Sequence, residues 1–391
     1  MKNQHKNRST GRLLALMLFV VLSLQVHAFE YFIDFKNSAG NSDYMIGSRL
    51  VPNASYYGTA LDVNALLSEY ARMYINVNQT RVIPQSEYST REAEFGLALK
   101  YTPIPNNQIF ASAFGYLNIY DEMYSYYNSS GFGVHGKWKH YFEPGQLLSL
   151  TYDLRSRSFE EVQEASYTEH EFQLAYNHSF PTRTSINIQN VISLQEFWPQ
   201  STITSYERRV VVTELEKIEP NYLNSIDLRI GQSLGNRIGF TLWSGTQFLL
   251  NERQDALALQ DGIDNPFIDR YRWNGQLIAE RLIFRLNPNN RFTVSHTHSK
   301  RSFVNVPVYE FDFTVMDYVV LDNELVSLGF DRSDTRNSVN FEWVRIWNLD
   351  RLVWISSIEV LFNVGYISNK SNDLLYNYDG MNYNISLNIY N

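Results

Sequence analysis

The chain has 391 residues, no cysteine, 33 Lys and Arg against 41 Asp and Glu, and a formal charge of −8. That balance excludes disulfide stapling and argues against a nucleic-acid partner, which requires a basic footprint. Aromatic residues reach 15%, with 27 Tyr and 24 Phe, while the mean hydropathy is net polar. The combination is wrong for a helical membrane bundle and right for a wall that is apolar on alternate residues only.

At the N-terminus Lys2, Lys6, Arg8 and Arg12 precede an apolar run from Leu13 to Leu24, followed by Gln25, Val26, His27 and Ala28. The run falls short of the roughly 20 residues that span a hydrocarbon core, so the pattern predicts a secretory signal, residues 1–28, cleaved near Ala28. Its loss would leave residues 29–391 as one domain and take the formal charge to −12. With no cysteine beside the cut, a lipid anchor is not expected.

Beyond the signal the chain is a rhythm of two alternating runs joined by a tight turn, then a longer polar segment, then two more runs. Runs near 29–38, 55–64 and 68–78 precede thirteen more that start at 91–101. The turns YTPIPNNQ (101–108), FEPGQ (142–146), FPTRTS (180–185), SLGNR (233–237), LNPNN (286–290) and WNLDR (347–351) all carry Pro, Gly, Asn or Asp, the usual turn formers. Longer connections lie near 121–130, 160–168, 199–221, 252–268, 303–324 and 367–380.

The predicted fold is all-β, an antiparallel transmembrane barrel of about 16 strands, with 14 as the alternative if the first two runs are not strands. Short periplasmic turns and longer outer loops follow from the alternation of connection lengths. A soluble sandwich or propeller would use strands of about five or six residues, and many runs here are ten to fifteen.

Parity assigns the two faces. In TEHEFQLAYNHSF, Phe172, Leu174, Tyr176 and Phe180 oppose Glu169, Glu171, Gln173, Asn177 and Ser179; in LLSLTYDLRSR, Leu148, Leu150, Tyr152 and Leu154 oppose Ser149, Thr151, Asp153, Arg155 and Arg157. SINIQNVISLQ repeats the scheme. RWNGQLIAERLIFRL and FEWVRIWN change phase near Glu280–Arg281 and near Val344, where bulges or strand ends are expected. The last residues, MNYNISLNIYN, set Met381, Tyr383, Ile385, Leu387 and Ile389 against Asn382, Asn384, Ser386, Asn388 and Tyr390, as a closing strand that pairs with the first would.

Inward parity selects the pore-lining candidates: Glu94, Lys100, Lys137, Lys139, Asp153, Arg155, Arg157, Glu169, Glu171, Asp227, Arg229, Arg291, Arg301, Glu342 and Glu359. They sit on many strands, so they either line a pore that selects by charge and size or pair with one another across a filled interior. His296 and His298 are two apart and could share a metal, but their parity follows Phe292 and Val294 to the lipid side, and no metal site or cofactor is predicted. No catalytic residue is assigned: NHS (177–179) alternates faces, and no HExxH or phosphate loop is present. The tyrosines of YDEMYSYYNSSGF (120–132) and NDLLYNYDGMNY (372–383) suit either an interfacial girdle, the favoured reading, or a stacking surface for sugars.

The signal, alternation and loop rhythm resemble the Gram-negative outer-membrane β-barrel class, porin-like in organisation, over essentially residues 29–391. The closing strand resembles the insertion signal of such barrels, with Tyr383, Ile385, Leu387 and Ile389 outward, but it ends in Asn391 where an aromatic is customary. The resemblance implies an outer-membrane location, with outer-membrane lipid, lipopolysaccharide and the barrel-assembly machinery as partners. The leading functional expectation is a passive, non-enzymatic channel or translocation pore for small polar or saccharide solutes. A structural, assembly or surface-polysaccharide-binding barrel without conductance is the alternative, and a lipid-directed enzyme the third.

Overall fold

The computed structural model describes residues 30–42, 45–46, 49–50, 54–83, 86, 89–198, 200–206, 209–216, 219–251, 269–271, 273–312, 314, 317–321, 324–349 and 355–390. The expected signal, residues 1–28, the connection 252–268 and Asn391 lie outside them.

Sixteen antiparallel strands close into one barrel. They are β1 (Glu30–Ser42), β2 (Ala54–Leu66), β3 (Ala71–Ile83), β4 (Thr90–Ile104), β5 (Asn107–Tyr120), β6 (Ser129–Tyr141), β7 (Gln146–Phe159) and β8 (Tyr167–Ser179). The second half holds β9 (Thr184–Phe197), β10 (Asn221–Leu234), β11 (Ile238–Leu249), β12 (Trp273–Asn287), β13 (Asn290–Tyr309), β14 (Ser327–Asn348), β15 (Ser357–Ser371) and β16 (Tyr378–Tyr390). Each strand pairs with its sequence neighbours, and β1 closes on β16 from Asp34↔Tyr390 to Ser42↔Asn382. Closure pairs every strand edge within the wall, as a membrane-spanning sheet requires.

The outer wall follows parity. Phe95, Leu97, Leu99, Phe132, Leu150, Phe172, Leu174, Ile188, Ile226, Leu282, Phe341 and Ile385 are all large apolar side chains left exposed on it, which makes sense only if lipid covers them. Tight turns fall on one rim together with the start of β1 at Glu30 and the end of β16 at Tyr390. Gly145 and Gly235 adopt φ of +91° and +72° there, a conformation that favours glycine. At Gly145 a Cβ would also lie 2.6 Å from the Ser179 carbonyl oxygen.

Three expectations are corrected. No bulge marks Glu280 or Val344: β12 stays in unbroken register with β11 from Gly275 to Phe284 and with β13 from Trp273 to Arg285. Likewise β14 stays in register with β15 from Asp334 to Asn348. The alternation of residue types breaks instead, placing Glu280 and Arg345 on outward positions and Leu277, Ile283 and the buried Val344 inward. The connections predicted at 303–324 and 367–380 are shorter, because β13 runs to Tyr309 and β15 to Ser371.

The third correction concerns the loop tyrosines. Tyr120 and Tyr127 are buried with Phe159, Ala165, Tyr167 and Phe197, with Tyr124 and Tyr126 packed against them; the Tyr124 and Tyr127 rings stack at 6.3 Å. Segments 121–128 and 160–166 thus fold together into a small apolar core at the outer mouth, not a girdle. Tyr376 covers the guanidinium of Arg332, and Tyr383 alone of those examples takes an outward wall position.

Candidate functional site

All fifteen charged candidates occupy inward-facing strand positions: Glu94 and Lys100 on β4, Lys137 and Lys139 on β6, Asp153, Arg155 and Arg157 on β7, Glu169 and Glu171 on β8, Asp227 and Arg229 on β10, Arg291 and Arg301 on β13, Glu342 on β14 and Glu359 on β15. The structure gathers five of them into two clusters and leaves the rest in pairs or alone.

The first cluster is a basic bay. Lys100, Lys137 and Lys139 converge with Arg72, His135, Phe110 and Ser112 around a concavity of about 440 Å³ on the inner wall of β3–β6, near the short-turn rim. Register explains the convergence, since β4 Lys100 faces β5 Phe110, which faces β6 Lys137. The Lys139 ammonium sits 4.8 Å from the Phe110 ring centroid, a cation–π contact that holds the charge while leaving its donors free. Glu69 is the one acid of the lining.

The second cluster is a tether. A single helical turn, Asp269–Tyr271, ends the connection between β11 and β12 and reaches along the interior to β8 and β9. Arg270 donates to Glu171 Oε2 at 2.9 Å and to Ser193 Oγ at 2.7 Å, and its guanidinium lies 3.3 Å from Glu169 Oε1. The Tyr271 hydroxyl donates to Glu169 Oε1 at 2.6 Å, and the ring is 1% exposed. Gln247 Nε2 on β11 donates to the Arg270 carbonyl at 2.6 Å. Burial, then the charge of Glu169, push the Tyr271 hydroxyl above its ordinary value. The segment is thereby fixed against the inner face of the β8–β11 wall and occupies interior space on the long-loop side.

Elsewhere the acids are taken. Asp153 is 2.7 Å from His135 Nδ1, Asp227 accepts from Trp243 Nε1 at 3.0 Å, Glu342 pairs with Arg291 at 3.1 Å, and Glu359 accepts from Asn388 at 2.8 Å. Arg157 lies 5.2 Å from the Tyr116 ring and Arg301 4.6 Å from the Trp273 ring. Arg155, Arg229 and Glu94 join neither cluster.

Several interior residues escape the sequence reading. Arg72 shares parity with Tyr74, Asn76 and Asn78, so its inward position was legible from RMYINVN. Lys36–Asp62, at 2.9 Å, follows the same rule. The buried pair Arg332–Asp334, at 2.7 Å, lies on β14 and shares the inward parity of Glu342. Arg270 and Tyr271 carry no periodic signal at all. His296 and His298 are outward, and His298 Nδ1 lies 2.8 Å from Asn337 Oδ1.

No protein-family model and no curated protein matches the chain. Among solved structures it is similar to OccAB1 of Acinetobacter baumannii, with a TM-score of 0.53 and 8% identity over 94% of this chain and 97% of that one. It is also similar to OccK2 (OpdF) of Pseudomonas aeruginosa in complex with glucuronate, with a TM-score of 0.50 and 9% identity over 93% and 98%. At such identities the likeness concerns the backbone. The chain therefore has the closed sixteen-stranded fold of the outer-membrane porins.

Proposed function

We propose that the protein is a passive, non-enzymatic outer-membrane channel for small polar solutes, saccharides included, and that it favours those carrying negative charge. The observation that carries this reading is the division of the interior charges. Most inward acids of the two clusters and their surroundings are held by partners: Glu169 and Glu171 by Arg270, Asp153 by His135, Glu342 by Arg291, Asp62 by Lys36. Among the described residues the bay cations Lys100, Lys137 and Lys139 form no ion pair, and they line the open bay. Although the chain is acidic overall, the field inside the bay is positive, and a low-dielectric wall concentrates it.

The chemistry needed is transient. Three lysines and an arginine offer donors to a carboxylate or a hydroxyl without a rigid cage, so a solute can be held and released. The test is conductance of the purified protein in planar bilayers with a salt gradient. Ion-permeable steps with a reversal potential of anion-selective sign are expected. No openings across several salts and voltages would overturn the channel, and cation selectivity would overturn the role of the bay.

A further inference from the structure

The lipid-facing wall is interrupted on β11–β13 by a polar patch: Ser244, Thr246, Gln276, Glu280, His296 and Lys300 are all exposed there. Glu280 is central, seven residues from either end of β12, with Ile278 on one side and Leu282, Phe284 and Leu286 on the other along the same outward row. It has no side-chain hydrogen bond or ion pair among the described residues. Its cross-strand neighbours on that face are Leu242 and His296. Among the described residues no metal-binding group forms there.

A carboxylate turned to hydrocarbon destabilises a barrel, most of all away from the interfaces, and such groups are normally matched by a partner. The patch carries both signs on adjacent strands: the acid Glu280 on β12 and Lys300 on β13, with the His296 imidazole on the same face of β13. Such a surface complements itself under a two-fold axis along the membrane normal, which sets Glu280 of each copy against the bases of the other. A lipid phosphate would meet Glu280 with like charge. We infer that the outer face of β11–β13 is the interface with a second copy of this chain. This inference rests on the reading of that wall as membrane-embedded.

The experiment uses the full chain reconstituted in phosphatidylcholine vesicles, with flotation to establish insertion. The protein contains no cysteine, so single replacements report alone. Ser244→Cys should cross-link into a dimer through a short bis-maleimide, and Thr59→Cys, on the outward face of β2, should not. Adding Glu280→His or His296→Glu to Ser244→Cys should lower the dimer yield at least tenfold, and the two together, which restore a carboxylate facing an imidazole across the axis, should recover it. Heat-modifiable migration on gels verifies that each variant is folded, and His296→Ala serves if Glu280→His does not fold. Equal cross-linking from both cysteines, an unchanged yield in the singles, or no recovery in the double would overturn the interface. A chain that does not float with vesicles would overturn the membrane reading itself.

Discussion

Arg270→Ala should loosen the inward segment and make the channel noisy. Arg270 donates to Glu171 at 2.9 Å and to Ser193 at 2.7 Å and stands 3.3 Å from Glu169. Hydrogen bonds to charged groups contribute about 1.5–3 kcal/mol each when sheltered. The Arg270 side chain is 39% exposed, so solvent screening reduces the ion-pair part, leaving about 2 kcal/mol, or roughly a 30-fold shift from docked to free segment. The alanine variant also leaves Glu169 and Glu171 as like charges on one face. Tyr271 remains, so the segment should still dock but release more often. Single-channel recording should show more frequent excursions to higher conductance, by about the same factor, and Glu169→Gln with Glu171→Gln should reproduce them. Wild-type conductance and noise in both variants would refute the idea that this tether sets the interior cross-section.

The docked Tyr271 hydroxyl is neutral, held above the ordinary tyrosine value of about 10 by burial first and by Glu169 second. Its contribution is therefore fully present below pH ~10 and lost as pH rises beyond it. Channel noise should accordingly increase above that pH, and Tyr271→Phe should abolish the dependence while weakening docking by about 1 kcal/mol. Lys137→Glu combined with Lys139→Glu should move the reversal potential in a KCl gradient toward cations, since it inverts two of the charges of the bay; an unchanged potential would place the selectivity elsewhere. Gly131→Val should prevent assembly of a heat-resistant compact barrel, because a Cβ there would lie 1.9 Å from the Ser156 carbonyl oxygen, a backbone atom that cannot rotate away.

Parity was enough to place the wall because each of its strands meets two solvents at once, and a period of two leaves no freedom in which face a residue takes once one neighbour is placed. Phe172 outward fixes Glu171 inward, and the pairs Phe172↔Tyr152 and Phe172↔Ile192 carry the assignment to β7 and β9. The rule misled where residue type and position part company. Glu280 and Arg345 are polar but outward, and Leu277, Ile283 and Trp243 are apolar or aromatic but inward. Reading type as position invented bulges at two sites of unbroken register.

Clusters were less legible than faces. Lys100 and Lys137 are separated by one intervening strand, and only the stagger of β4, β5 and β6 brings them to one bay; that stagger is a property of the closed barrel and of its turn lengths. Arg270 was beyond reach for a different reason. It lies in a loop, where no periodicity reports the direction of a side chain, and its partners are 99 and 77 residues away.

In the proposed channel, the sign of the charge met by a solute is consequently not the sign of the chain. Net charge counts every ionised group alike, whereas a solute inside the barrel meets those whose field is not already neutralised at short range. An acid 2.9 Å from a guanidinium, such as Glu171, forms with it a local dipole whose field falls off faster than that of a lone ammonium. A lysine over an aromatic face, such as Lys139 over Phe110, keeps its full monopole, because the ring supplies a quadrupole and no counter-charge. Arranging acids in pairs and setting Lys139 over a ring thus gives the bay of an acidic protein a positive field, and it does so without moving any charge across the wall.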